Sequence, residues 1–202
     1  MARKTAKAKA TRPAAKGLAS LRAEIARLRG ELINAEWKIA ELETRADIDP
    51  LLEIFNRRGF ERELKRSLAY IGRYGANAAL VYLDLDGFKA VNDRHGHAAG
   101  DALLKLAARE ISRHVRTSDV VARLGGDEFA VLLWNLNETQ ALAKARDLEA
   151  VVARASLNEG EARISVGASA GAVTLSAELT PAQVIEAADK AMYARKQERR
   201  GN

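Results

Sequence analysis

Residues 120–134 constrain this chain more than any other stretch. Val120-Val121-Ala122 and Ala130-Val131-Leu132-Leu133 are apolar, β-prone runs, and between them lies Arg123-Leu124-Gly125-Gly126-Asp127-Glu128-Phe129. A Gly-Gly pair between two such runs predicts a β-hairpin, which commits the chain to antiparallel pairing here and carries Asp127 and Glu128 on its tip. Glycines at a tip allow positive φ and leave room for a bulky polyanion. Taken alone, Gly-Gly-Asp is ordinary turn chemistry and fits a solvated hairpin equally well. A second acidic cluster, Asp84-Leu85-Asp86, closes another strand-like run and is followed by a closely spaced Lys, Asn, His and Asp series. Two such clusters point to one site that holds a metal.

The other segments fall into place around this hairpin. Ala78 to Leu83 is a continuous apolar run, the pattern of a central strand buried on both faces, with Asp84 at its carboxyl end. Helical spacing runs from Leu51 to Tyr74 with an interruption near Asn56 and Gly59, from Ala102 to Val115, and over 138–155. Between the first two, Gly87 to Gly100 reads as a loop. Ile164 to Val173, broken by Gly167 and Gly171, predicts a strand pair or one bulged strand. Thr180-Pro181 supplies an N-cap and an N1 proline for a last helix. The order implies an α/β sandwich with one mixed sheet.

Upstream, apolar residues recur alternately three and four apart from Leu18 to Ala46, a heptad seam with Leu18 at position a. In a parallel pair Glu24 meets Arg29 and Lys38 meets Glu43, while Glu31 and Glu36 repel. Gly30 costs about 1 kcal/mol against alanine, and Trp37 falls outside the seam. One amphipathic helix packed on its own domain is the alternative; the evenly charged flanks favour a parallel dimer. Asp49-Pro50 ends or kinks the helix, because proline disfavours helical geometry in the residue before it. The expected organisation is therefore a basic, disordered tail over 1–16, a coiled-coil dimerisation helix over 17–46, and one domain over 47–202.

The net charge of +6 comes from that tail, whose six lysines and arginines are unopposed by any acid. A nucleic-acid-binding domain does not follow from it, and a solvated tail is favoured over contact with nucleic acid or membrane. The absence of cysteine excludes disulfides and cysteine-based zinc sites and suits a reducing cytoplasm. No apolar run approaches the ~18 residues of a spanning helix, and the first residues lack a secretory pattern.

Several motifs in order resemble the GGDEF-domain diguanylate cyclases over residues 47–200. They are Asn56-Arg57-Arg58, Asp84 to Lys89, Asn92-Asp93, Gly96-His97, Gly100-Asp101, Arg123 to Phe129, Ser165-Val166-Gly167 and Ala188 to Tyr193. The resemblance implies a mixed sheet of about five strands flanked by helices, and an enzyme that joins two GTP into cyclic di-GMP with release of two pyrophosphates. Such phosphoryl transfer needs charge neutralisation and in-line positioning, which explains carboxylates beside a triphosphate. By the resemblance Asp84, the Leu85 carbonyl and Asp127 hold Mg²⁺ or Mn²⁺, and Asp127 accepts the proton of the ribose 3′-OH. Glu128 shares either role, and Asp86 supports from behind. Asn92 and Asp101 read guanine, whose donor edge suits a carboxylate. Phe88 and Lys89, with Lys196 and Arg200, contact the substrate's phosphates. His95 and His97 read as support for the turn.

One GTP cannot cyclise with itself into this product, so two domains must face each other, and the heptad helix would bring them together. Arg116 and Asp119, an R-x-x-D pair before Gly125, occupy the family's product-inhibition position, which makes cyclic di-GMP both product and allosteric inhibitor. Two departures stand out: Leu52-Glu53 replaces the usual Thr-Gly of the lead-in to the domain, and Arg195 and Arg199 stand where Ala and Gly are usual. A catalytically silent module that binds GTP or cyclic di-GMP is the alternative, and a scaffold docked by its basic tail is a third reading.

Overall fold

A computed structural model describes residues 11–159 and 162–201, with the side chains at 11–19, 36, 39–45, 159, 162, 200 and 201 outside that description. The chain divides into a first unit, 1–45, and a second, 46–202. Helix α1 (Thr11–Ala46) covers the described residues of the first unit and ends on the first residue of the second. It starts within the stretch expected to be disordered. Residues 1–10 lie outside the described residues, while 11–16 are helical: Arg12, Ala14, Ala15 and Lys16 are good helix formers, and Pro13 sits in the first turn, where its missing N–H costs nothing. Along the heptad seam Leu21, Ile25, Leu28 and Leu32 are exposed in the single chain.

The second unit runs β1 (Phe55–Asn56), α2 (Arg57–Tyr74), β2 (Ala78–Asp86), α3 (Phe88–Arg113), β3 (Val120–Gly125), β4 (Glu128–Trp134), α4 (Glu138–Arg154), β5 (Leu157–Glu159), β6 (Ala162–Ile164), β7 (Gly167–Thr174) and α5 (Pro181–Gly201). Five strands form one sheet in the order β1-β3-β4-β2-β7. β1 is parallel to β3 and the other pairs are antiparallel, so the sheet is mixed as expected. Alternation along the strands assigns the faces. Val81, Leu83, Leu85, Phe129, Val131 and Leu133 pack with α3 and α4. Leu80, Tyr82, Ala130 and Leu132 pack with α2 and α5. This double coverage is why 78–83 reads as unbroken apolar sequence.

The helix ends follow local chemistry. Asn56 caps α2 by accepting from the Gly59 N–H at 3.0 Å, and Gly75, at φ 65°, closes it with an N–H donated to the Ile71 carbonyl at 2.8 Å. Asn137 and Gln140 form a reciprocal capping box on α4. Thr180 and Gln183 make a similar arrangement at α5.

Two expectations need correction. Residues 87–100 are not a loop: α3 is helical on both sides of Gly96, whose φ of 80° and ψ of 165° turn the axis between two helical pieces. A single glycine thus does what the sequence suggested a long loop would do. Residues 164–173 neither pair with each other nor form one strand. β6 pairs with β5 in a separate hairpin, and β7 alone enters the main sheet. Gly171 belongs to that regular strand because α5 passes directly over it: a Cβ there would lie 2.1 Å from the Met192 backbone nitrogen.

Candidate active site

The β3–β4 hairpin turns at Gly126, φ 45°, with a bulge between Arg123 and Gly125 that re-aims the tip. The Asp127 carbonyl accepts from the Leu85 N–H at 3.2 Å, which pins the tip to the end of β2. Asp84 and Glu128 are direct register partners and leave the same face of the sheet. Asp84, Leu85, Asp127 and Glu128 are therefore brought together from two strands distant in sequence.

Their electrostatics differ. Burial raises the Asp127 carboxyl above its ordinary value and the neighbouring Asp84 charge raises it further, against the opposing pull of its own backbone N–H, Lys196 and Arg123. Glu128 lies toward α2, 3.9 Å from the Arg57 guanidinium. It also faces the Tyr82 phenol, which burial first and the Glu128 charge second push well above the usual tyrosine range. Lys196 of α5 forms an ion pair with Asp84 and lies 3.9 Å from Asp86. Asp86 accepts from the Ser169 hydroxyl at 3.0 Å and pairs with Arg199 at 3.4 Å. Arg195 pairs with the buried Glu149, which also accepts from the Ala170 N–H at 2.8 Å. Both unusual arginines are thus neutralised by acids. The side chain of Arg200 lies outside the described residues.

Beyond β2, Gly87 at φ 79° starts α3 with no side-chain cap. Lys89 is exposed in the first turn, while the Phe88 ring is buried in the core, so a ligand here would meet the backbone of residue 88. Asn92 lies against Gly100, where a Cβ would fall 1.9 Å from its Oδ1. Glycine at 100 thus makes room for the Asn92 amide beside the exposed Asp101. His95 and His97 flank the Gly96 turn.

At the far end of the sheet, Arg116 and Asp119 close a turn. The Asp119 carboxylate accepts from the Arg116 N–H at 2.8 Å and the Trp134 N–H at 3.1 Å. Arg116 is exposed and borders a cavity of about 390 Å³ with Trp134, Leu136 and Lys144.

The sequence did not reveal how the lead-in is tied to the hairpin. Asp49 accepts from the Leu51 and Leu52 N–H groups, both at 2.9 Å, and pairs with Arg123 at 3.2 Å. Arg123 in turn donates to the Gly126 carbonyl at 2.9 Å, and Asn56 donates to the Ala46 carbonyl at 2.8 Å. An aspartate followed by proline two residues before a free N–H is a turn signal that could have located the first of these bonds. Its partner Arg123, 74 residues away, could not have been found locally.

Residues 46–202 match the family model for the diguanylate cyclase GGDEF domain. The chain belongs to the GGDEF-domain family. Among its relatives, Probable diguanylate cyclase DgcE of Escherichia coli is 43% identical over 166 residues, which are 81% of this chain and 15% of that protein. Diguanylate cyclase TpbB of Pseudomonas aeruginosa is 38% identical over 81% of this chain and 38% of its own length. The chain therefore spans well under half of either relative. The crystal structure of the coiled coil and GGDEF domain of DgcB from Caulobacter crescentus, in complex with c-di-GMP, superposes with a TM-score of 0.72 at 28% identity, over 89% of this chain and 95% of that one.

Among the described residues no three His, Cys, Asp or Glu side chains form a ready-made metal cluster. The donors present nonetheless fit a hard divalent ion of the Mg²⁺ type, which is held by one or two carboxylates while substrate phosphates and water complete its shell. Asp127 is raised by Asp84, and Asp84 already draws a cation, Lys196. That is the electrostatic condition a bound cation relieves. Among the described residues no helix is long and apolar enough to cross a membrane.

Proposed function

We propose that this GGDEF domain is an active diguanylate cyclase that condenses two GTP into cyclic di-GMP and two pyrophosphates. The observation that carries the reading is the joining of the hairpin tip to the end of β2, with Asp84 opposite Glu128 and the Leu85 N–H on the Asp127 carbonyl, beside Lys196 and the uncapped start of α3. Asp84, the Leu85 carbonyl and Asp127 would hold Mg²⁺ or Mn²⁺, which when bound neutralises triphosphate charge. Lys89, Lys196, Arg200 and the backbone at Phe88 take the phosphates, as a helix N-terminus favours an anion. Asn92 and Asp101 select guanine through its N1 and N2 donors.

In the chemical step the ribose 3′-oxygen of one nucleotide attacks the α-phosphorus of the other, the bond to pyrophosphate breaks, and the hydroxyl proton passes to a carboxylate. We assign that task to Asp127, which the bond from the Leu85 N–H to its carbonyl holds at the end of β2 beside Asp84. Glu128, the first residue of β4, is steadied by Arg57 and Tyr82 and contributes negative charge to the site. Two such steps close the ring, so two domains must face each other. Residues 17–46 supply the pairing through the exposed Leu21, Ile25, Leu28 and Leu32. Arg116 and Asp119 take accumulated product and inhibit; the outer lone pairs of Asp119 remain for a guanine edge after its two backbone bonds.

Incubation with GTP and Mg²⁺ should yield cyclic di-GMP with the wild-type chain and none with Asp127→Asn. GTP or product binding without turnover would establish the silent module instead. Deleting residues 17–46 should make the specific rate rise steeply with protein concentration. Indifference to the deletion would remove the stalk from the mechanism.

A further inference from the structure

Lys196 sits where a divalent ion would need to bind. Its Nζ pairs with Asp84 Oδ1, and the two side chains are only 17% and 16% exposed, so solvent ions screen the pair little. Asp84 is a carboxylate assigned above to the metal, and an ammonium in contact with it repels a second cation there. Lys196 has no good alternative within the protein. Among the described residues its only other acidic neighbour is Asp86, at 3.9 Å. The oxygens of Asp86 already accept from the Ser169 hydroxyl at 3.0 and 3.1 Å and pair with Arg199 at 3.4 Å. Arg199, which stands where the family usually has glycine, thus fills the one acid that could receive a displaced ammonium.

We infer that Lys196 is a placeholder for the metal and yields Asp84 when a triphosphate arrives: the ammonium passes to the phosphates as the divalent ion takes its place, so that metal and nucleotide enter together. The inference rests on the metal and phosphate assignments proposed above. Reach favours the exchange. Gly87 starts α3 directly after Asp86, so the ammonium already lies near the helix N-terminus assigned to the phosphates. The lysine head rides on a flexible four-carbon stem, so it can move without α5. Charge favours it too. Asp84 and Lys196 cancel each other, and a divalent ion balances Asp84 and Asp127 once Lys196 faces a phosphate. The ion alone would strand a half-buried ammonium beside it, and the nucleotide alone would draw Lys196 away and leave Asp84 bare. Each ligand therefore raises the affinity for the other by the same factor.

Mn²⁺ binding to the full chain without nucleotide tests the exchange, read from the loss of the electron paramagnetic resonance signal of free Mn²⁺. Lys196→Met keeps the apolar stem and removes the charge, and should bind Mn²⁺ about tenfold more tightly than the wild type. Lys196→Arg keeps a cation against Asp84 and should bind as weakly as the wild type. Arg199→Gly opens Asp86 to the displaced ammonium and should tighten Mn²⁺ by a smaller factor. Adding Asp84→Asn to Lys196→Met should cancel the gain. In calorimetric titration the same Lys196→Met chain should bind a non-hydrolysable GTP analogue more weakly than the wild type, so the two affinities move in opposite directions. Circular dichroism checks that each variant is folded, and Lys196→Gln replaces the methionine variant if it is not. Equal Mn²⁺ affinity in wild type and Lys196→Met, with analogue binding still weakened, would make Lys196 a phosphate ligand alone and overturn the exchange while the proposed site stands. Mn²⁺ that binds none of these chains, with or without the analogue, would remove the metal assignment itself.

Discussion

Gly171→Ala should loosen the fold and disturb substrate binding together, because one glycine sets the distance between α5 and the sheet. An added Cβ would lie 2.1 Å from the Met192 nitrogen, 2.5 Å from the Ala191 carbonyl carbon and 2.7 Å from the Met192 Cα. These are backbone atoms of a helix interior, so no side chain can swing aside. Restoring ordinary contact at about 3.5 Å requires α5 to move by roughly 1 Å or β7 to buckle. Overpacking of this kind costs about 1–3 kcal/mol, which in a domain of this size lowers Tm by about 3–10 °C. Lys196 lies on the next turn of the displaced helix, so the affinity for a non-hydrolysable GTP analogue should fall at least tenfold as well. Thermal unfolding followed by circular dichroism gives the first number and calorimetric titration the second. Gly72→Ala is the comparison: its Cβ meets only Ala177 Cβ at 3.1 Å, and the gain in helix propensity offsets that contact to leave Tm within about 2 °C. If Gly171→Ala unfolds at the wild-type temperature and binds the analogue normally, the close approach of α5 is not what the glycine is for.

Three further substitutions follow from single geometric facts. Glu53 holds φ at 58°, where the family usually has glycine, so Glu53→Gly should stabilise the protein by about 0.5–1 kcal/mol, read as a rise in the urea midpoint. Asn137→Ala removes the acceptor of the Gln140 N–H, one half of the α4 capping box, and should cost about 1 kcal/mol in the same assay. Asp127→Asn should raise Tm at neutral pH without divalent ions, because the folded state disfavours the charged carboxylate. That advantage should vanish in acid, where Asp127 is protonated, since a raised folded pKa contributes stability at low pH and loses it as pH rises.

What could be read from the sequence depended on how local the cause was. The hairpin was legible because two β-prone runs and a Gly-Gly pair act within a few residues, and β2 because burial on both faces leaves an unbroken apolar run. Residues 87–100 were misread because a single non-helical residue, Gly96, separates two helical pieces that polar side chains make look like loop. β5 and β6 are three residues each, too short for any period. The meaning of Gly171 lies in the helix that crosses it, 21 residues on, and Lys196 meets Asp84 across 112 residues. Resemblance supplied residues such as Asn92 and Lys196 that pattern alone would have left as surface polar groups. Neither pattern nor resemblance exposed the Asp49–Arg123–Gly126 linkage, because each bond in it is an ordinary turn contact until the fold joins them.

In the proposed mechanism each chain carries half a site. Its most direct test is a titration of Asp127→Asn chains into a fixed amount of wild type after subunit exchange, with cyclic di-GMP measured by mass spectrometry at saturating GTP and Mg²⁺. A mixed pair closes only one of the two phosphodiester bonds, so product per wild-type chain should fall in proportion to the wild-type fraction. Product per wild-type chain that stays constant as the variant is added would mean that a single chain completes the reaction.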